Sequence, residues 1–234
     1  MATQTLVWFI TAASSGFGHY IALEALRRGH HVIASGRTLS KLAPLADAGA
    51  HTVVLDVTAP LPAIQAIAKD AVAKYGYISH LVNAAGYVLI GAVEETSPQE
   101  DYDTFNTNVF GTLNVNKAFL PYLRAGAGHR TICNFGSIAS WTGGAGAALY
   151  YSTKWAVSGL SEAMREELSP FGIAVTTIAA YEESAAGNTR RGLKGYDGSL
   201  WEVISGPAIR EKIEKTVTLL DEWEGVTGKT DHEE

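Results

Sequence analysis

The chain has 234 residues, 47% hydrophobic and 18% charged, which excludes disorder and suits one domain with a real core, spanning 1–234. With Lys+Arg at 18 and Asp+Glu at 24 the net charge is −6, and without a Lys/Arg run this argues against nucleic acid as the main partner. A lone Cys133 allows no intramolecular disulfide, no apolar stretch approaches the roughly 18 residues of a membrane span, and Met1–Thr5 lacks the pattern of a signal peptide, so the expected location is cytoplasmic, away from membranes.

Short apolar runs alternate with helical patterns along the first 180 residues. Leu6–Ile10 reads as a buried strand, 17–28 as a helix ending at Gly29, and His31–Ser35 as a second strand. Leu39–Ala48 follows as a helix, Thr52–Leu55 as a strand and Leu61–Tyr75 as a helix. Ile78–Val82 is the fourth strand. One long helix is expected over roughly 100–124, with a weak, Asn-rich middle. Thr131–Phe135, a helix over about 149–168 and Ile173–Ile178 complete the alternation. Leu200–Ile204 reads as a seventh strand. A last helix over 206–224 starts at Gly206-Pro207 and carries Ile209, Ile213, Val217 and Leu220 on one stripe. Buried strands alternating with amphipathic helices predict an α/β fold: one doubly wound domain of about seven parallel strands, with helices on both faces and ligands at the carboxyl ends of the strands.

The first strand runs into Thr11-Ala12-Ala13-Ser14-Ser15-Gly16-Phe17-Gly18 and then a helix. A strand, a glycine turn and a helix gather free backbone N–H groups and the positive end of the helix dipole at one point, which suits a pyrophosphate; a plain tight turn would use the same glycines. The second strand ends in Ser35-Gly36-Arg37-Thr38. It lacks the acid that would take a ribose 2′-hydroxyl, and Arg37 offers a planar fork suited to a 2′-phosphate. Asp56-Val57 follow the third strand, and Asn83-Ala84-Ala85-Gly86 the fourth. Tyr150 and Lys154 stand at i, i+4, on one helical face with Cβ atoms about 5–6 Å apart. A phenol beside an ammonium can give or take the proton that accompanies hydride transfer. Ser137 lies just past the fifth strand and Asn108 on the preceding long helix; Tyr151 is off the spacing by one.

In combination, these motifs resemble the short-chain dehydrogenase/reductase family over about residues 5–180, with a tail similar to fungal-type members. The glycine turn matches except that Ala12 replaces the first glycine, a substitution that costs energy if that residue needs a positive φ. The resemblance implies NADP(H) as cofactor. It would be held by Thr11, Ser14, Ser15, Gly16, Phe17, Gly18, Arg37, Asp56, Val57, Asn83, Ala84 and Gly86, with Tyr150 and Lys154 at the nicotinamide ribose, and no metal. It implies a tetrad in which Tyr150 is the acid/base, Ser137 holds the carbonyl or hydroxyl oxygen, Lys154 lowers the tyrosine pKa, and Asn108 anchors a relay water. It also implies a homodimer or homotetramer paired through the fourth and fifth helices. After the sixth strand the family shows Pro-Gly and then a threonine, where this chain has Ala180, Tyr181 and Ala185, with Glu182 and Glu183 beside them. The substrate lid, 179–199, is short. The expected function is an NADP(H)-dependent oxidoreductase of secondary metabolism that interconverts a ketone or aldehyde and its alcohol on a small-molecule metabolite. The alternative is a non-redox member of the fold: an isomerase or cyclase, or an NADP(H)-binding module.

Overall fold

The computed structural model describes residues 5–178 and 207–222. Six strands form one sheet: β1 Val7–Ile10, β2 His31–Gly36, β3 His51–Val54, β4 His80–Asn83, β5 Thr131–Phe135 and β6 Ala174–Ile178. Every pairing is parallel and the order is β3-β2-β1-β4-β5-β6. The order reverses between β1 and β4. In open α/β sheets, ligands bind at such a switch point. The expected seventh strand, the shortened lid and the Ala180–Tyr181 replacement lie outside the described residues.

Alternate residues of each strand feed opposite faces of the sheet. Val7 and Phe9 join Leu81, Ile132 and Val175 in one apolar cluster, covered by α3 (Leu61–Tyr75), α5 (Thr112–Ala125) and α6 (Ala148–Leu168) through Ile64, Phe119 and Met164. Trp8 and Ile10 join Val32, Val82 and Cys133 in the other. There the cover is α1 (Gly16–Arg27), α2 (Ala43–Asp47) and α7 (Pro207–Glu222), through Ile21, Leu45, Ile213 and Val217. The strands are therefore apolar on both faces, as their sequences require.

The long helix expected over 100–124 is not one α-helix. α4 (Pro98–Phe105) starts at a capping box, in which the Ser97 hydroxyl accepts from Glu100 N–H and the Glu100 carboxylate accepts from Ser97 N–H. It then passes into a π-helical turn over Asn106–Gly111 before α5 begins. The weak middle of the pattern is thus a change of helix type. The helix expected over 39–48 is likewise divided, into a tight turn over Leu39–Leu42 and the short α2.

Candidate active site

A cleft of about 690 Å³ opens at the carboxyl ends of the strands. Its walls include Ser14, Ser15, Gly16, Phe17 and Gly18 from the first turn, Arg37 after β2, Asp56 and Val57 after β3, and Ala84 and Gly86 after β4. Ser137, Tyr150 and Lys154 complete it. Thr11, Asn83 and Asn108 are buried and stay out of this lining.

The first turn is built for close approach. Gly16 has φ +62°, and a Cβ on Gly18 would stand 3.1 Å from the carbonyl oxygens of both Thr11 and Ala12. Ala12 itself has φ +51°, the one described non-glycine residue with positive φ, so the substitution does fall where a Cβ is strained. The N-terminus of α1 carries no acidic residue in its first turn, and its N-cap Ser15 makes no side-chain cap bond. These N–H groups and the dipole behind them fit an anionic pyrophosphate. Thr11 acts from behind: its hydroxyl accepts from Ala84 N–H at 3.0 Å and Ala85 N–H at 3.2 Å, tying this turn to the one after β4. Asn83 braces the sheet, its amide donating to Asn116 Oδ1 at 2.8 Å and Asn134 Oδ1 at 2.9 Å. Arg37 is exposed at the cleft, with no acid on β2 beside it. Asp56 is exposed too, and its Oδ1 accepts from Thr58 N–H and hydroxyl.

The chemical end rests on β5 and α6. A Cβ on Gly136 would fall 2.5 Å from Thr177 Cγ2, so the chain leaves β5 without a side chain there. Ser137 then caps a tight turn over Ile138–Ser140, its hydroxyl oxygen accepting from Ala139 N–H at 3.2 Å. That oxygen keeps its own hydrogen as a donor. On α6, Lys154 Nζ donates to Phe135 O at 2.7 Å and stands 5.7 Å from the centre of the Tyr150 ring. Burial of the lysine is thereby matched by a carbonyl and an aromatic face.

Asn108 sits in the π turn, 1% exposed. Its amide donates to Tyr87 O at 2.9 Å and Thr153 Oγ1 at 3.1 Å, and its Oδ1 accepts from Tyr87 N–H at 3.0 Å. Thr153 Oγ1 in turn donates to Tyr150 O at 2.7 Å. The Asn108 side chain is thus a strut between the loop after β4 and the helix of Tyr150, with both amide hydrogens committed.

Sequence reasoning missed several lining residues. Val88, Ile138 and Thr107 join Tyr87 in lining the cleft, and so does Tyr151, which the helical spacing turns away from Tyr150. The Tyr151 ring reaches the cleft by lying against Gly144, where a Cβ would meet its hydroxyl at 2.5 Å, and it stands edge-on to Tyr150 with centroids 6.2 Å apart. Gly144 was the available signal. Among the described residues no group of three or more His, Cys, Asp or Glu is placed to hold a metal, and no helix is long and apolar enough to cross a membrane.

Comparison with known proteins agrees with this geometry. Oxidoreductase BOA17 of Botryotinia fuckeliana is 36% identical over 180 residues, covering 75% of this chain and 65% of that protein. The uncharacterised oxidoreductase YusZ of Bacillus subtilis is 39% identical over 177 residues, covering 72% and 62%. The chain therefore spans less than two thirds of the length of these curated relatives. A short-chain dehydrogenase structure from Streptomyces avermitilis superposes with a TM-score of 0.75 at 32% identity, covering 92% of this chain and 83% of that one. A structure of ElxO with NADP bound superposes with a TM-score of 0.71 at 29% identity, covering 76% and 74%. The family model described as short chain dehydrogenase matches residues 6–189, and that stretch carries every residue of the cleft: the chain belongs to the short-chain dehydrogenases.

Proposed function

We propose that this chain is an NADP(H)-dependent oxidoreductase that interconverts a ketone or aldehyde and the corresponding alcohol on a small-molecule metabolite. The observation that carries it is one cleft holding an uncapped helix N-terminus and Arg37 at one end and Ser137, Tyr150 and Lys154 at the other. The first turn and α1 would hold the pyrophosphate, and Arg37 a 2′-phosphate. When bound, the nicotinamide supplies or accepts the hydride at the substrate carbon. In reduction, the Ser137 hydroxyl donates to the substrate oxygen and orients it. As the carbonyl π bond breaks toward oxygen, the Tyr150 hydroxyl delivers the proton there. The negative charge left on the phenol then has the Lys154 ammonium nearby. Oxidation of the alcohol runs the same transfers backwards. The NADP-bound ElxO structure supports this choice of cofactor.

The test is Tyr150→Phe, which keeps the ring and removes the hydroxyl. Turnover on a ketone panel should fall by about 10² or more, the scale of a lost general acid, with NADPH affinity, read by fluorescence, nearly unchanged. Turnover that survives the substitution refutes Tyr150 as the acid.

A second reading is favoured by Ala180-Tyr181 in the place of the family's Pro-Gly. It is a fold member without redox activity, either an isomerase or cyclase or a cofactor-binding module. NADPH binding without turnover on any ketone or alcohol separates it from the first. We place the protein in the cytoplasm and infer a homodimer or homotetramer paired through α4–α5 and α6.

A further inference from the structure

Two loops form the walls of the cleft beyond Ser137 and Tyr150, and neither carries an Asp, Glu, Lys, Arg or His. They are residues 84–93, AAGYVLIGAV, and residues 135–151, FGSIASWTGGAGAALYY. The fold joins them: Gly91 N–H donates to Gly146 O at 2.8 Å. Tyr87, Val88, Ile138 and Tyr151 line the cleft between them. Ile138 is 49% exposed, and Trp141, which ends the same tight turn, is 57% exposed. Ile138 thus presents a large apolar side chain to the cleft beside the reacting hydroxyls.

The charged groups of the cleft are placed elsewhere. Arg37 and Asp56 follow β2 and β3, across the switch point from Ser137. Lys154 directs its ammonium to Phe135 O. Asp103, on α4, accepts from Gln99 Nε2 at 2.9 Å, and a carboxylate repels an anionic substrate in any case. Among the described residues, no cation besides Arg37 and Lys154 lines the cleft. Among the described residues, a substrate carboxylate or phosphate seated between the two loops would therefore lose water without gaining a counter-charge, whereas an apolar group would cover Ile138.

We propose that the substrate is a neutral ketone or aldehyde with an apolar body, not a keto acid or a phosphorylated carbonyl compound. It rests on the reductase assignment above for the reaction, and on the two uncharged walls for the substrate class. The test uses one scaffold in two charge states, the methyl ester of para-acetylbenzoic acid and para-acetylbenzoate. Each is titrated by calorimetry into the full chain saturated with NADP+. The ester should bind at least about tenfold more tightly than the acid, the scale on which an apolar pocket discriminates. Ile138→Ala should weaken the ester severalfold, and Ile138→Lys should narrow or invert the preference. Acid that binds as tightly as ester overturns the proposal, and so does binding of neither. NADPH consumption is followed on the same pair. Ester that is bound but never reduced overturns the reductase assignment while upholding the apolar class of the site.

Discussion

Ala12 occupies a left-handed conformation where its methyl costs roughly 1–2 kcal/mol. Ala12→Gly should therefore raise the free energy of unfolding by about 1 kcal/mol in urea denaturation. No gain would mean that the methyl packs well enough to offset the strain. At Arg37, replacement by Asp should exchange the fork for an acid and reverse a preference for NADPH over NADH, measured as the ratio of the two dissociation constants. Equal affinities in the parent protein would refute the assignment. Residues of this kind were legible because their chemistry demands a side-chain type at a fixed place: an acid or a fork after β2, a phenol and an ammonium four apart. Thr11 and Asn83 were less so. Both belong to the expected motifs, yet each works through hydrogen bonds behind the cleft, and sequence alone does not separate touching a ligand from bracing the turn that touches it.

The β-strands and most helices were readable from apolar periodicity, because burial on both faces leaves few polar choices. The π turn was not. A widened turn changes the period for a single step, and Asn-Thr-Asn has no strong preference of its own. At the opposite end of the sheet, α7 is held by its last turn. The Leu220 carbonyl accepts from His80 Nε2 at 3.0 Å and from His129 Nε2 at 2.8 Å. Arg28 reaches the Glu214 carbonyl, Thr218 and Asp221. Cations and donors at a helix C-terminus are favourable. Because a carbonyl only accepts, His80 carries a hydrogen on Nε2, and its Nδ1 lies 2.9 Å from Ser79 Oγ. Burial under Trp8, whose ring stacks 4.0 Å away, pushes the His80 pKa from 6.5 down to about 3, against the opposing pull of the Leu220 bond. The unfolded chain thus takes up this proton first on acidification. The stabilising effect is complete above about pH 6.5 and is lost as pH falls toward 3, at up to about 1.4 kcal/mol per unit. Urea denaturation should show stability falling between about pH 6.5 and 5, and His80→Gln, which keeps a donor for Leu220, should flatten that slope. Glu24, held below its usual value chiefly by Arg27, adds its own loss only below about pH 4.5. An unchanged slope in His80→Gln would assign the acid sensitivity to another group.

The whole molecule is two apolar layers on one sheet, with one face of α6 left over. Val157, Met164 and Leu168 face the core, while Trp155 is 54% exposed and a Cβ on Gly159 would meet nothing within 4 Å. Phe110, in the π turn, is 47% exposed. Uncovered aromatics beside a small residue suit close approach of a second copy, with its own α6 alongside. Light scattering at micromolar concentration should return a dimer or tetramer, and Trp155→Glu should shift it toward monomer. A monomeric parent protein would refute pairing through this face.

The π turn also sets how this segment can change in length. Removing Val109 or Phe110 would give a more regular helix, with better backbone hydrogen bonds than the widened turn has. It would also rotate everything before the deletion by about 100° relative to α5. Asn108 would swing away from Thr153, and Thr104 away from the Tyr87 hydroxyl it meets at 3.0 Å. A locally better helix would unfasten the loop after β4 from the helix of Tyr150. Between 106 and 110, substitutions that keep Asn108 are tolerable where a single-codon deletion is not, and random mutagenesis scored for turnover should recover the first and never the second; Gly111 stands apart, because a Cβ there would fall 2.7 Å from Val57 Cγ2.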